Sequence, residues 1–317
     1  MLEACLDVTV IICTRNRAAS LGLVLRSMTA LKLPARLSWE ILVVDNGSED
    51  DTQQVIASFS NVLPIVCVRE TDPGLSHARN AGVRHARGKY IVWTDDDVRV
   101  DGNWLLAYAQ AFEAFPRGVV FGGSSAPVLE EPTPAWFNES QGELKGLLAY
   151  RNPSGLPRRL TVDGQLPYGL NFAIRADEQR RCFYDPMLGV APGRRRGGEE
   201  LQVIKKILAA GAEGYWVPDA RVVHVIPASR QTLEYVRLYY KAQGEASAIL
   251  RELGGRKLGI MALLERSGRA AWHYLWYRLR KSHPVSVAQV RHFRKLAFQI
   301  GFIEYLISTD RRETLRH

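Results

Sequence analysis

The chain has 317 residues, enough for two domains or one large domain with an appendage, at 46% apolar and 24% charged composition. That is ordinary globular composition, and it excludes a disordered chain, a collagen-like repeat or a disulfide scaffold. The net charge of +9 is unevenly placed: residues 1–230 carry 26 basic and 26 acidic side chains, whereas residues 231–317 carry 16 and 7. A neutral body with a basic tail points to a tail with its own partner and argues against nucleic acid as the main ligand.

The first half alternates strands with helices. Val8–Cys13 is a continuous apolar run, the pattern of a strand buried on both faces. Helical spacing follows over Ala19–Ala30, then a strand over Glu40–Val44 closed by Asp45-Asn46-Gly47-Ser48. A helix over Thr52–Phe59, a strand over Leu63–Val68, a helix over Leu75–Ala86 and a strand over Lys89–Thr94 complete the series. This order predicts an α/β fold, a mostly parallel sheet flanked by helices. Ligands of such sheets bind beyond the carboxyl ends of the strands. Three polar clusters start at such ends: Thr14-Arg15-Asn16-Arg17, Asp45-Asn46 and Asp95-Asp96-Asp97.

From Ser125 to Gln165 several prolines and no clear period predict a long loop region. Short strands are expected over Leu166–Arg175, Tyr215–Pro218 and Arg221–Val225, and a helix over Glu199–Ala210. Beyond residue 230 the pattern changes to basic helices over Thr232–Leu253, Leu258–Lys281 and Val285–Ser308. The expected domains are therefore 1–230, catalytic or ligand-binding, and 231–317, a helical extension. In the second of these helices Ile260, Leu263, Leu264, Ala271, Tyr274 and Leu275 share one wheel face, and Glu265, Arg266, Arg269, His273 and Arg280 the other. Such a helix either packs its apolar face or lies on an anionic membrane surface. No apolar run reaches 18 residues, no export signal is expected with Glu3 and Asp7 near the start, and Cys5, Cys13, Cys67 and Cys182 form no C-x-x-C pair. These features predict a cytoplasmic protein, peripheral on the inner face of the cell membrane.

Neither G-x-G-x-x-G nor G-x-x-x-x-G-K-[ST] occurs, so glycine-rich phosphate loops are absent. A phosphorylated substrate would need a metal and polar side chains. Asp95-Asp96-Asp97 is the best metal candidate, since carboxylates two apart at a strand end point the same way and suit Mg²⁺ or Mn²⁺. Alone, the same triplet reads as an acidic surface turn. Glu199-Glu200 reads alone as acids in a helix's first turn, favoured by the macrodipole.

The ordered set Val43-Val44-Asp45-Asn46-Gly47-Ser48, Gly74-Leu75-Ser76-His77-Ala78-Arg79-Asn80-Ala81-Gly82, Asp95-Asp96-Asp97, Gly198-Glu199-Glu200 and His224 resembles the family 2 glycosyltransferases over residues 7–230. The resemblance implies a GT-A fold with a Rossmann-like nucleotide-binding half, and inverting, metal-dependent transfer from a nucleotide-diphospho-sugar. It places the D-x-D motif on Asp95, at the donor ribose, and Asp97, on the metal, with Asp96 between them on the donor side. It gives Asp45 the nucleobase, Thr14 and Arg15 the segment lining that base, and Arg79 the nucleotide side. Glu200 matches the catalytic base and Glu199 its neighbour, while His224 completes the metal site. Tyr168-Gly169-Leu170-Asn171 resembles the segment beside the donor sugar. The implied acceptor is a glycan or lipid-linked hydroxyl in surface polysaccharide or glycolipid synthesis. The rival reading is a non-catalytic nucleotide- or nucleic-acid-binding protein docked by its tail.

Overall fold

The computed structural model describes residues 6–152, 155, 157–256, 258–280 and 285–314, with side chains described as far as residue 308; Cys5 and Lys281 lie outside the described residues. The chain forms two compact units. The first comprises residues up to Val128 with Ala149–Pro186 and Glu199–Val225, and the second Leu129–Leu148, Met187–Gly198 and Ile226 onward. Two segments from within the first 230 residues thus group with the C-terminal helices.

The first unit opens with β1 (Leu6–Thr14), α1 (Ala18–Met28), β2 (Trp39–Asp45), α2 (Thr52–Phe59), β3 (Ile65–Arg69), α3 (Leu75–His85) and β4 (Gly88–Asp95). These are the seven elements legible in the sequence. β1 pairs in parallel with both β2 and β4, and β2 with β3. Val8, Val10 and Ile12 of β1 pack with α1 on one face, and Ile11 packs with Ala78 and Ala81 of α3 on the other. Burial of each such aliphatic side chain contributes about 1.5–3 kcal/mol. Burial on both faces is why the strand reads as an unbroken apolar run.

Next come β5 (Val98–Val100), α4 (Trp104–Ala114) and β6 (Gly118–Leu129), which the sequence reading does not include. Seven residues of α4 are buried, so it has little polar face to betray a helical period. The expected loop from Ser125 therefore starts inside β6, and holds the short helix α5 (Ala135–Glu139). β7 (Asn171–Arg175) is shorter than the expected Leu166–Arg175 and leads into α6 (Ala176–Arg180). A small hairpin pairs β8 (Val190–Ala191) with β9 (Arg194–Arg195), followed by α7 (Glu199–Ala209). The two expected strands around 215–225 are one, β10 (Glu213–Ile226). Pro218 does not break it, and the Pro218 carbonyl accepts from Ser124 Oγ at 2.7 Å.

The sheet order is β3-β2-β1-β4-β7-β6-β10-β5, with β7 antiparallel to β4 and to β6, and β5 antiparallel to β10. The chain runs outward from β1 to β3 and returns through α3 to the other side of β1. That reversal between β1 and β4 is the switch point at which such sheets bind ligands.

The second unit is built on α8 (Leu233–Leu253), α9 (Ile260–Leu279) and α10 (Val287–Thr314). Thr232 caps α8, its hydroxyl accepting from the Tyr235 N–H at 3.1 Å. A Cβ on Gly244 would strike the Phe298 carbonyl, and one on Gly301 the Lys241 carbonyl, so two glycines let α8 and α10 meet backbone to backbone. Leu188 joins the cluster of Ile249, Phe302 and Leu306. Glu143 accepts from Arg291 at 2.6 Å and Arg294 at 2.7 Å, which holds its carboxyl below the usual range.

Of the two outcomes left open for α9, packing of its apolar wheel face is not the one seen. Arg266, on the polar wheel face, is buried: its guanidinium lies 4.3 Å from the Phe302 ring centroid and donates to Gln299 Oε1 at 3.2 Å. Ile260, Leu264 and Leu275 are exposed instead. A long arginine stem packs well over an aromatic ring, so burial here follows shape rather than average polarity.

Candidate active site

Register brings the strand ends together. Thr14 lies opposite Asp45, and Cys13 opposite Asp95, so the carboxyl ends of β1, β2 and β4 lie side by side. The loops beyond them are stitched by backbone-directed contacts. Asn46 Nδ2 donates to the carbonyls of Glu70 and Asp72, and its Oδ1 accepts from the Gly74 N–H. Asn16 holds a left-handed φ of 52°; its N–H donates to Ser48 Oγ and its Oδ1 accepts from the Glu49 N–H. A short amide side chain that bonds locally tolerates this backbone region. Arg15 Nη1 donates to the Asn46 carbonyl at 3.0 Å.

Asp45 has no exposed surface; it accepts from the Ser48 N–H at 2.8 Å and from Gln53 Nε2. It holds the turn after β2.

Asp95, Asp96 and Asp97 diverge into three environments. Asp96 is buried, accepts from Thr14 Oγ1 at 2.7 Å and is paired with Arg17 Nη1. Burial pushes its carboxyl up to about 7 against the pull of Arg17. Arg17 Nη2 also reaches Asp97 Oδ2, at 3.1 Å. The other oxygen, Asp97 Oδ1, faces His224 Nε2 at 3.7 Å. His224 arrives through β10, where it pairs with Val98 of β5, and the Val225 N–H donates to the Asp97 carbonyl. Asp95 is the most open of the three, its side chain 38% exposed.

Arg79 projects from α3 and is 3% exposed. Its guanidinium carbon lies 5.5, 5.8 and 5.4 Å from the ring centroids of Trp93, Phe172 and Tyr184. Nη2 lies 3.6 Å from Asp95 Oδ1, 3.8 Å from Glu199 Oε1 and 3.5 Å from the Gly169 carbonyl oxygen. A Cβ on Gly169 would come within 2.6 Å of that nitrogen, so glycine is needed for the approach. Glu199 and Glu200 open α7 and are both buried. Burial, then the charge of Glu200, pushes the Glu199 carboxyl up to about 7, while Arg79 opposes the shift. Arg79 Nη1 and Glu199 Oε2 are buried with no hydrogen-bond partner.

Asn171, read from sequence as a residue beside the sugar, sits deeper. Its Oδ1 accepts from Trp104 Nε1 and Tyr108 OH, and its Nδ2 donates to the carbonyls of Ser124 and Ala220, all at 2.7–2.8 Å. These contacts use every donor and acceptor of the amide, so Asn171 ties β6, β7, β10 and α4 beneath the site.

The structure therefore brings Thr14, Asp96, Asp97 and His224 into one chain of contacts through Arg17, and Asp95, Arg79 and Glu199 into a second, the two joined at the Asp95-Asp96 peptide, with Glu200 following Glu199 on α7. Arg15 and Asp45 serve the adjoining loops. Arg17, which contacts both Asp96 and Asp97, is the candidate-site side chain that sequence reasoning did not single out; its one signal is membership of the strand-end cluster. Arg194 and Arg195 form β9 in the second unit, where Arg196 pairs with Glu245 at 3.1 Å.

Asp97 Oδ1 and His224 Nε2 are a carboxylate oxygen and an imidazole nitrogen facing one another, a donor pair that suits Mn²⁺ or Mg²⁺. Among the described residues no group of three or more His, Cys, Asp or Glu side chains is placed to hold an ion. A cation held here would draw this pair from the protein and its remaining ligands from water and substrate.

The sequence profile of Glycosyl transferase family 2 matches residues 9–155. The succinoglycan biosynthesis protein ExoM of Rhizobium meliloti is 24% identical over 273 residues, covering 81% of this chain and 83% of that protein. The hyaluronan synthase of Pasteurella multocida is 33% identical over 102 residues, but those are 32% of this chain and only 10% of the synthase. Among solved structures, the mannosyltransferase PcManGT of Pyrobaculum calidifontis, in complex with GDP-Man and Mn²⁺, superposes with a TM-score of 0.62 at 17% identity, covering 95% of this chain and 88% of that one. S. aureus TarS 1-349 in complex with UDP gives 0.54 at 15% identity, over 96% and 91%. The fold is that of the GT-A glycosyltransferases, and the chain is a glycosyltransferase whose residues 9–155 match Glycosyl transferase family 2.

Proposed function

We propose that the enzyme transfers a sugar with inversion from a nucleotide-diphospho-sugar to a hydroxyl of a glycan or lipid-linked acceptor, in the assembly of a surface polysaccharide or glycolipid. One observation carries this reading: Asp95, Asp97, His224 and the Glu199-Glu200 pair are gathered around Arg17 and Arg79 at the β1–β4 switch point. A binding protein has no need of a buried acid pair beside the phosphate-side carboxylates. The kinship with ExoM, a protein named for succinoglycan biosynthesis, supports the polysaccharide setting. On this reading the working site is the cytoplasmic face of the cell membrane. No helix among the described residues is long and apolar enough to cross a membrane.

Glu200 takes the proton of the acceptor hydroxyl as its oxygen attacks the anomeric carbon. The nucleoside diphosphate leaves from the opposite face, which inverts the configuration. Asp95 contacts the donor ribose. Asp97 and His224 hold Mn²⁺ or Mg²⁺, which when bound offsets the charge that develops on the departing diphosphate. Arg17 keeps Asp97 oriented. Arg79 fixes Glu199 and so the first turn of α7, on which Glu200 stands.

The test is product formation with a panel that includes GDP-mannose and UDP-GlcNAc, the donors carried by structural neighbours. Turnover with one donor, abolished by excess chelator and by Asp97→Asn, is the expected result. Full activity in chelator would remove the metal from the mechanism. Nucleotide binding without turnover on any donor would return the chain to a binding role.

A further inference from the structure

The helix α9 is turned inside out relative to the usual pattern of a packed amphipathic helix. Ile260, Met261, Leu264, Trp272, Leu275 and Leu279 are between 52% and 75% exposed. At 3.6 residues per turn these six fall within an arc of about 120°. Gly268 lies in the middle of the arc with nothing within 4 Å of a Cβ placed on it. The opposite side is engaged within the second unit. Arg266 is buried over Phe302, and His273 Nδ1 lies 3.2 Å from His292 Nδ1, both partners belonging to α10. These contacts fix the rotation of α9, so the apolar arc is held outward. An outward stripe of this extent marks a docking surface.

Charge selects the occupant. Residues 231–317 carry nine net positive charges. Exposed Arg278 lies at one edge of the arc; beyond the other edge come Glu265, paired with Arg269 at 2.6 Å, and exposed Arg280. A second copy would bring the same cations face to face. An anionic surface would attract them, and its hydrocarbon edge would take the apolar side chains. Trp272 and Tyr274, both more than half exposed, have the apolar body and polar tip suited to a headgroup boundary. A 20-residue helix with two such faces lies along a membrane rather than through it.

We propose that α9 docks flat on an anionic lipid leaflet, with Leu264, Trp272 and Leu275 below the headgroups and Arg269, Arg278 and Arg280 at phosphate level. This deepens the membrane-side placement above and does not depend on catalysis. The test is co-sedimentation of the full-length protein with vesicles of phosphatidylcholine, alone or mixed with phosphatidylglycerol, at low and high salt. The wild type is expected to pellet with the anionic vesicles and to release as salt rises. L264S/L275S, a change at two exposed positions, should bind those vesicles at least about tenfold more weakly. Its melting curve and nucleotide affinity should be unchanged. Failure of the folded wild type to bind, binding equal in L264S/L275S, or indifference to lipid charge would overturn the proposal. So would light scattering that shows a wild-type dimer which L264S/L275S dissociates, since the arc would then be a self-interface. Nucleotide affinity reads the catalytic unit independently, so a failure of docking and a failure of the enzymatic reading are told apart.

Discussion

The guanidinium of Arg79 lies 3.8 Å from the carboxylate of Glu199, and both side chains are all but excluded from solvent. The same nitrogen lies 3.6 Å from Asp95, so one buried cation spans the end of β4 and the acid pair. Burial raises the cost of the Glu199 charge by more than Arg79 returns, and its carboxyl titrates near 7 rather than at 4.5. Removing one member of such a pair strands the other and is strongly destabilising.

The acid pair should therefore separate by role. Glu200→Gln is expected to lower turnover by about 10²-fold or more with donor affinity nearly intact, as loss of a general base does. Glu199→Gln should cost less turnover and should change the pH dependence of stability. With the folded pKa raised, the folded state holds the Glu199 proton longer than the unfolded chain does. Wild-type stability then falls relative to Glu199→Gln as pH rises from 4.5 to about 7, with no further divergence above. Urea unfolding of both proteins across that range checks the sign. Reversal of the two kinetic effects would exchange the assignments within the pair.

Asn171→Ala should destabilise the first unit by more than about 3 kcal/mol. Four hydrogen bonds vanish, and the buried groups of Trp104, Tyr108, Ser124 and Ala220 are left unsatisfied at about 1–3 kcal/mol each before relaxation. Chemical denaturation followed by tryptophan fluorescence measures this. A loss below about 1 kcal/mol would show that water or repacking replaces the amide.

The α9–α10 contact should weaken in mild acid. His273 and His292 both titrate below 6.5, first because of burial and then because of Lys295 beside each. Arg269 and Arg294 act on His273, Arg280 and Arg291 on His292, and Glu143 is the opposing charge near His292. Below 6.5 the unfolded chain takes up protons that the folded pair refuses, so stability falls as pH drops through that window. The wild type should lose stability relative to His292→Gln between pH 6.5 and the lowered folded value, measured by paired melts. This trend runs opposite in sign to that of Glu199, so the two are distinguishable in one titration. A constant difference between the paired melts would rule the histidines out.

The parallel half of the sheet is legible in the sequence because β1, β2 and β4 are buried on both faces, and an apolar run followed by turn chemistry marks each of them; the edge strand β3 is legible from its apolar run alone. The strand-end polar clusters are legible for the same reason, as breaks in that pattern. Arg17 is not. Its neighbours Arg15 and Asn16 have equal chemical standing, and only the left-handed turn at Asn16 shows which of them faces Asp96 and Asp97. The depth of Asn171 is hidden because its four partners come from α4, β6 and β10. The facing of α9 stays open in the sequence because average polarity does not show that Arg266 finds an aromatic ring and an amide to lie against.

The pairing of His224 with Val98 has a consequence for the order of assembly. Asp95 and Asp97 are positioned by β1 to β4, whose contacts close in steps through β2 and β3 and span at most 82 residues at Thr14–Asp96. The imidazole reaches Asp97 only when β10 docks beside β5, across more than a hundred residues of intervening chain. Closing so long a loop costs entropy that must be spent before the contact repays it, and contacts of that kind form late. The half of the site at the ends of β1 to β4 can thus take shape while the half proposed to hold the ion is still open, and folding ends where the proposed chemistry begins.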